Sequence, residues 1–173
     1  ADSLFRDHLL QGIRYVTGGP DKLDYSKAKS IRAPEENRFT KTVLDFKLDE
    51  PTEMTILPDG RNIFIERKGA VKLYNPSDGK VNLINTFKVG TKFEDGMIGL
   101  AADPDFTKNN WVYVFYSHPE RSANVLSRFV FKDGKIDESS EKELLEVVTQ
   151  RETCCHTGGS LAFGPGGNLF IST

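Results

Sequence analysis

Leu100-Ala101-Ala102-Asp103-Pro104, followed by Val112-Tyr113-Val114, is the stretch that decides the fold, because its formula occurs three times. A short apolar strand runs into a Pro/Asp/Gly turn, and an aromatic-rich strand follows. The first copy is Met54-Thr55-Ile56-Leu57-Pro58-Asp59-Gly60 with Ile63-Phe64-Ile65. The last is Leu161-Ala162-Phe163-Gly164-Pro165 with Leu169-Phe170-Ile171. Each turn has a mechanism: Pro presets φ, and Gly or Asp accepts conformations that other residues resist.

The turn prolines, Pro58, Pro104 and Pro165, lie 46 and then 61 residues apart. Between them run further short β segments: Asn62–Glu66, Val71–Tyr74, Val81–Val89, Trp111–Ser117, Asn124–Phe131 and Glu143–Val148. Phe39–Phe46 alternates imperfectly and is also expected to be a strand. Four-stranded meanders repeating every 40–50 residues or so read as propeller blades, and the longer second interval fits an inserted loop. The predicted class is therefore all-β: two blades and the start of a third. A propeller closes with about four to eight blades, so the sequence is expected to be truncated at both ends. An open arc leaves an unpaired edge, which predicts poor solubility or stability for the isolated piece.

Upstream, Phe5, Leu9, Ile13 and Val16 form one helical stripe, and Gly18-Gly19-Pro20 stops it. From Asp21 to Asn37 the composition is polar and reads as a linker. The expected organisation is a helix closing a preceding domain (1–19), a linker (20–37) and propeller blades (38–173).

Composition narrows the function classes. Of 173 residues, 38% are hydrophobic and 28% charged, with a net charge of −2. That is a globular balance, with no basic excess for nucleic acid. No apolar run approaches the length of a membrane span, and no secretory leader is visible. The two cysteines, Cys154 and Cys155, are adjacent. They are either thiols or a vicinal disulfide, and they do not fix a redox compartment. A metal site built from them with His156 is disfavoured, because neighbours in an extended chain point to opposite sides. No metal ligand is assigned.

Three histidines occur. His8 reads as a solvated helix residue and His118 as a loop residue before Pro119. His156 lies in Thr153-Cys154-Cys155-His156-Thr157-Gly158-Gly159-Ser160, just before an innermost strand. There it can act as a general base near neutral pH, or it can be a turn residue whose glycines serve φ alone. Glu94-Asp95-Gly96 stands in the matching place before the second blade. Its carboxylates can bond a sugar hydroxyl, or the segment can be a solvated turn. Neither phosphate-binding glycine loops nor a dinucleotide fingerprint occurs.

Gly96-Met97-Ile98-Gly99-Leu100-Ala101-Ala102-Asp103-Pro104-Asp105-Phe106, with Asn109-Asn110-Trp111-Val112-Tyr113, resembles a stretch of the soluble quinoprotein glucose/sorbosone dehydrogenases. His156-Thr157-Gly158-Gly159-Ser160-Leu161-Ala162-Phe163-Gly164-Pro165-Gly166-Gly167 resembles their histidine-bearing stretch. The resemblance spans about residues 38–173. It implies a six-bladed propeller, of which this chain would hold about two and a half blades. It implies oxidation of a sugar or polyol hydroxyl, with His156 as base and hydride passing to pyrroloquinoline quinone (PQQ). Glu94, Asp95 and Cys155 would then be substrate- or cofactor-binding positions.

PQQ and Ca²⁺ are implied as cofactors, with anchoring residues on later blades. An electron acceptor such as a cytochrome c is implied as partner, and a periplasmic or secreted location. Cys155 and Glu94 replace the Asp and Gln of soluble glucose dehydrogenase, so glucose specificity does not follow. The adjacent cysteines are similar to the vicinal disulfide of the quinoprotein alcohol dehydrogenases. The N-terminal helix resembles the end of a trehalose-utilisation-type, amidotransferase-like domain. The alternative function is a non-catalytic propeller that binds carbohydrate or a protein partner.

Overall fold

The computed structural model describes residues 35–45 and 47–172. The expected helix at Ser3–Val16, His8 and the linker up to residue 34 lie outside them. Two compact units divide the chain, Ala1–Lys41 and Thr42–Thr173. Of the first, the described part is a single 3-10 turn, Glu36–Arg38, and the residues around it.

Two four-stranded antiparallel meanders and a hairpin make up the second unit. The first sheet runs β1 (Pro51–Ile56), β2 (Asn62–Glu66), β3 (Ala70–Asn75) and β4 (Lys80–Thr86). The second runs β5 (Met97–Ala102), β6 (Trp111–Ser117), β7 (Ala123–Lys132) and β8 (Lys135–Val148), with a one-turn helix, α1 (Phe106–Asn109), between β5 and β6. The hairpin is β9 (Leu161–Phe163) with β10 (Leu169–Ile171). Strands pair strictly in chain order. This is the predicted all-β arrangement, a partial propeller.

Alternation explains the packing. On β6, Val112, Val114 and Tyr116 join the core shared with the first sheet, where Ile63, Ile65, Val71 and Leu73 meet them. Tyr113 and Phe115 point the other way, into a second core with Leu126 and Leu161 of the hairpin. A period of two sends successive side chains to opposite faces, so a strand covered on both sides is apolar throughout. On the first sheet's other face, Met54, Ile56 and Leu83 are exposed. Leu44 and Leu48 line a groove there with Met54, Phe64 and Tyr74.

Polar bonds tie the sheets at both edges. Thr52 Oγ1 donates to Met97 O (2.8 Å), joining inner strands β1 and β5. At the outer edge Asn85 brackets Ile136, donating to its carbonyl and accepting from its amide, both at 2.9 Å.

Two strand expectations need correction. Phe39–Asp45 carries no strand; its side chains are almost all exposed and no ladder partner lies beside it. β8 begins at Lys135, well before the expected Glu143. Its polar run Asp137–Lys142 hides the period, because an outermost strand faces water on most of its length. Bulges opposite Leu126/Ser127 and Arg128/Val130 break the alternation further.

Asp103 organises the repeated turn. Its carboxylate accepts from the Asp105 amide (2.8 Å), Asn109 Nδ2 (3.0 Å) and the Tyr113 hydroxyl (2.8 Å). Burial works to raise this carboxyl, but the three hydrogen bonds and the Arg128 charge outweigh it and hold the group below its usual value. Burial, and then Asp103 itself, push the Tyr113 phenol up to about 12.

A carboxyl depressed on folding stabilises the protein above its unfolded pKa, about 3.9, and the benefit disappears as pH falls through the folded value. In urea titrations of the intact protein, Asp103→Asn should therefore be less stable than wild type at neutral pH. The gap should narrow below about pH 4; a constant gap down to the acid limit would refute the account. Gly159 gives a second test. A Cβ there would stand 2.7 Å from Phe115 Cδ1 and 2.9 Å from Ile98 Cγ2, and Phe115 is fully buried. Gly159→Ala should lower stability by about 1–3 kcal/mol, read as a fall in Tm; an unchanged Tm would show that the contact yields freely.

Candidate active site

The two loops that the sequence singled out lie side by side. One joins β4 to β5 and carries Lys92, Phe93, Glu94 and Asp95. The other joins β8 to β9 and carries Arg151 to Ser160. Their ends are fixed by the inner strands: a Cβ on Gly99 of β5 would collide with the Gly159 carbonyl and approach Leu161 Cγ to 2.8 Å. Just beyond, Ser160 Oγ donates to Glu53 Oε2 of β1 (2.7 Å), and its amide donates to Ser172 Oγ (3.1 Å). The backbone leading to His156 is thus anchored to all three sheets. Gly159 therefore has a packing role, against Phe115 and Ile98.

His156 is exposed and has φ +76°, in the left-handed region that side-chain-bearing residues rarely adopt. Its amide donates to Glu94 Oε2 at 2.6 Å, and the Thr157 amide donates to the same oxygen at 3.3 Å. Asp95 points inward. It is 9% exposed, and its Oδ2 lies 3.2 Å from Arg151 Nε, an ion pair without hydrogen-bond alignment. Arg151 Nη1 and Nη2 donate to the carbonyls of His118 (2.7 Å) and Ala123 (2.8 Å), either side of the β6–β7 turn. Its own carbonyl accepts from Lys92 Nζ (2.9 Å). Beneath, Gly96 N donates to Ser117 Oγ (3.1 Å), which donates to Asn124 Oδ1 (2.9 Å), a chain wholly buried.

A cavity of about 300 Å³ opens between the loops, lined by Asp95, Asn124, Gln150, Cys155, His156 and Thr157 among others. Cys154 and Cys155 are exposed and joined as a vicinal disulfide. Their sulfurs and a Glu94 oxygen lie within 4.8 Å of one another, among the described residues the one group of donor atoms that close. Two sulfurs do not suit Ca²⁺, a hard cation bound by six to eight oxygens. His118 is a turn residue: its Nδ1 accepts from the Glu120 and Arg121 amides (3.1 and 2.9 Å). The structure brings Glu94, Asp95, Cys155 and His156 to one place. Nothing in the sequence signalled Arg151, Ser117 and Asn124, whose roles depend on partners distant in the chain.

The cations on and beside these loops are already engaged. Arg67 Nη1 donates to the Asp95 carbonyl (2.7 Å), and Nη2 donates to Glu50 (2.9 Å). Arg151 and Lys92 are held as described. Pyrroloquinoline quinone carries carboxylates that call for cationic partners, and the described loops offer none uncommitted. What they offer is an exposed imidazole and polar groups around a cavity.

The comparisons with known proteins agree with the fold. A curated relative, the uncharacterized protein slr1608 of Synechocystis sp., is 26% identical over 138 residues, covering 72% of this chain and 32% of its own. Among solved structures, an oxidoreductase assigned as a glucose dehydrogenase from Thermus thermophilus matches with a TM-score of 0.68 and 28% identity, over 75% of this chain and 39% of that one. The PQQ-bound aldose sugar dehydrogenase of Streptomyces coelicolor matches with a TM-score of 0.65 and 19% identity, over 74% and 39%. The soluble aldose sugar dehydrogenase of Escherichia coli, in its apo-form, matches with 0.65 and 21%, over 76% and 39%. The chain thus spans about a third of the curated relative and two fifths of these solved chains. Residues 48–173 match the Glucose / Sorbosone dehydrogenase family, and the chain belongs to it.

Proposed function

We propose that the protein containing this chain is a quinoprotein oxidoreductase acting on a sugar or polyol hydroxyl, with His156 as general base. The observation that carries this reading is the presentation of His156. Its side chain is exposed beside a polar cavity, while its backbone is fixed by bonds to a neighbouring loop. Family membership and the PQQ bound to the Streptomyces relative support the choice of cofactor.

When bound, the quinone would supply the hydride acceptor. The chain's own part is proton chemistry and positioning. A neutral imidazole at His156 takes the hydroxyl proton as the C–H bond breaks. Asn124, Gln150 and Thr157 offer hydrogen-bonding groups around the cavity where a polyhydroxy substrate would sit. Cys155 and Asp95 line it as well. The quinone's anchors and Ca²⁺ would be held by residues beyond the described loops. A cytochrome c-like acceptor and a periplasmic or secreted place belong to the same proposal, as does a preceding domain joined through residues 20–37.

The test is dye reduction by the intact protein, supplied with PQQ, Ca²⁺ and a panel of aldoses and polyols. His156→Ala should lower kcat by about 10²–10⁴-fold, the usual contribution of a positioned base. An unaffected kcat would remove His156 from that role. If PQQ neither binds nor supports turnover in wild type, the non-catalytic carbohydrate-binding or interaction module takes its place.

A further inference from the structure

Glu94 stands in the sequence as a candidate substrate ligand, yet its carboxylate is already turned onto protein. Two successive amides, His156 and Thr157, converge on the single oxygen Oε2. Consecutive N–H groups converge in this way when one residue takes a left-handed conformation, forming a small concavity suited to an anion. His156, with φ +76°, is that residue. A side-chain-bearing residue holds such a conformation only where its surroundings compensate. The Glu94 carboxylate fills the concavity and is the compensating group.

The acceptor is itself rigidly placed. Phe93, the residue before it, is also left-handed, with φ +55°. The Asp95 amide donates back to the Lys92 carbonyl (2.9 Å), closing a tight turn around Glu94. The Asp95 carbonyl is held by Arg67, and its carboxylate faces Arg151. Lys92 reaches the Arg151 carbonyl. The two loops are therefore fastened at Lys92–Arg151, at Asp95–Arg151 and at Glu94–His156/Thr157. The last fastening is the one that sets the backbone from which the imidazole projects.

We infer that Glu94 is a positioning residue: it fixes the left-handed turn at His156 through backbone hydrogen bonds and so aims the imidazole. This rests on the proposed role of His156 as base. The distinction from a substrate ligand has consequences. A carboxylate that binds a hydroxyl acts through substrate affinity. One that holds the His156 amide acts on the orientation of the base, so its loss appears in kcat. Misplacement of a reacting group by an ångström can cost about 10²-fold.

The experiment compares wild type, Glu94→Ala, Glu94→Gln and His156→Ala in the intact protein. It uses two readouts, amide hydrogen exchange of the 153–160 peptide without cofactor, and kcat and KM with PQQ, Ca²⁺ and the best aldose. Glu94 is exposed, so neither variant should lose the fold, and an unchanged Tm checks this. In Glu94→Ala, exchange at His156 and Thr157 should quicken about 5–10-fold. Its kcat should fall at least about 10-fold, with KM changing less than about threefold. Glu94→Gln keeps a carbonyl oxygen for the two amides and should recover most of both properties.

Unchanged exchange in Glu94→Ala overturns the inference. So does a loss in Glu94→Gln as deep as in Glu94→Ala with KM rising, since that marks a direct substrate contact. Faster exchange with kcat intact, while His156→Ala is inactive, also overturns it and leaves the base role standing. If His156→Ala is as active as wild type, the proposed function fails instead, whatever the exchange data say of the loop.

Discussion

A sheet sandwiched between two neighbours has no water-facing side, and the rest of this structure depends on that constraint. Strand β6 divides its residues between two cores, with Val112, Val114 and Tyr116 on one face and Tyr113 and Phe115 on the other. Both faces are held at a spacing set by side chains, while at the inner edge the backbones come much closer. There only glycine fits: Gly99 meets the Gly159 carbonyl, and Gly159 packs on Phe115 and Ile98. Twisted sheets stacked face to face diverge outward and converge inward. Bulk therefore belongs on the middle strands and small residues on β5 and at the entry to β9.

That convergence brings the loops together. Each inner strand is entered from the end at which the previous sheet's outer strand leaves, so the β4–β5 and β8–β9 connections run to one end of the unit. Once Gly159 is locked against β5 and Ser160 is tied to Glu53, His156 has only three residues of freedom from a fixed point. The Lys92–Arg151, Asp95–Arg151 and Glu94–His156 contacts use up that freedom. Asp95 illustrates the division of labour. Being buried, it needs a partner, and its pairing with Arg151 leaves the exposed neighbour Glu94 to face the other loop.

The blade formula was legible in the sequence because its causes are local. Period-two apolarity and Pro/Asp/Gly turns act within a dozen residues, and both meanders and the hairpin start were read from them. Phe39–Asp45 misled because alternation alone does not supply a ladder partner. The polar half of β8 was invisible for the opposite reason: its partner, β7, supplies the order that its own composition conceals. His156 and Glu94 could be placed near an inner strand end by register alone. What each touches could not, since the bond between them spans 62 residues of chain. Arg151 gave no signal at all, because an arginine in a polar loop looks the same whether it is solvated or engaged by three carbonyl and carboxylate partners.

The charge distribution of the two loops bears on what they can receive. Arg151, Arg67 and Lys92 are spent on carbonyls and on Asp95 and Glu50. An anion approaching this end meets no uncommitted cation on the described loops, and it meets Glu94. A neutral polyhydroxy molecule asks for no net charge, only for polar groups beside it, and Asn124, Gln150 and Thr157 line the cavity. Such a molecule can lie against an uncharged imidazole without a desolvated charge having to be balanced. By contrast, a cofactor with several carboxylates must find its cations elsewhere. On the proposed reading, proton acceptance and cofactor anchorage would therefore fall to different parts of the protein. On the same reading, an imidazole whose backbone amide is tied to Glu94 would keep its aim whether or not the cofactor is in place.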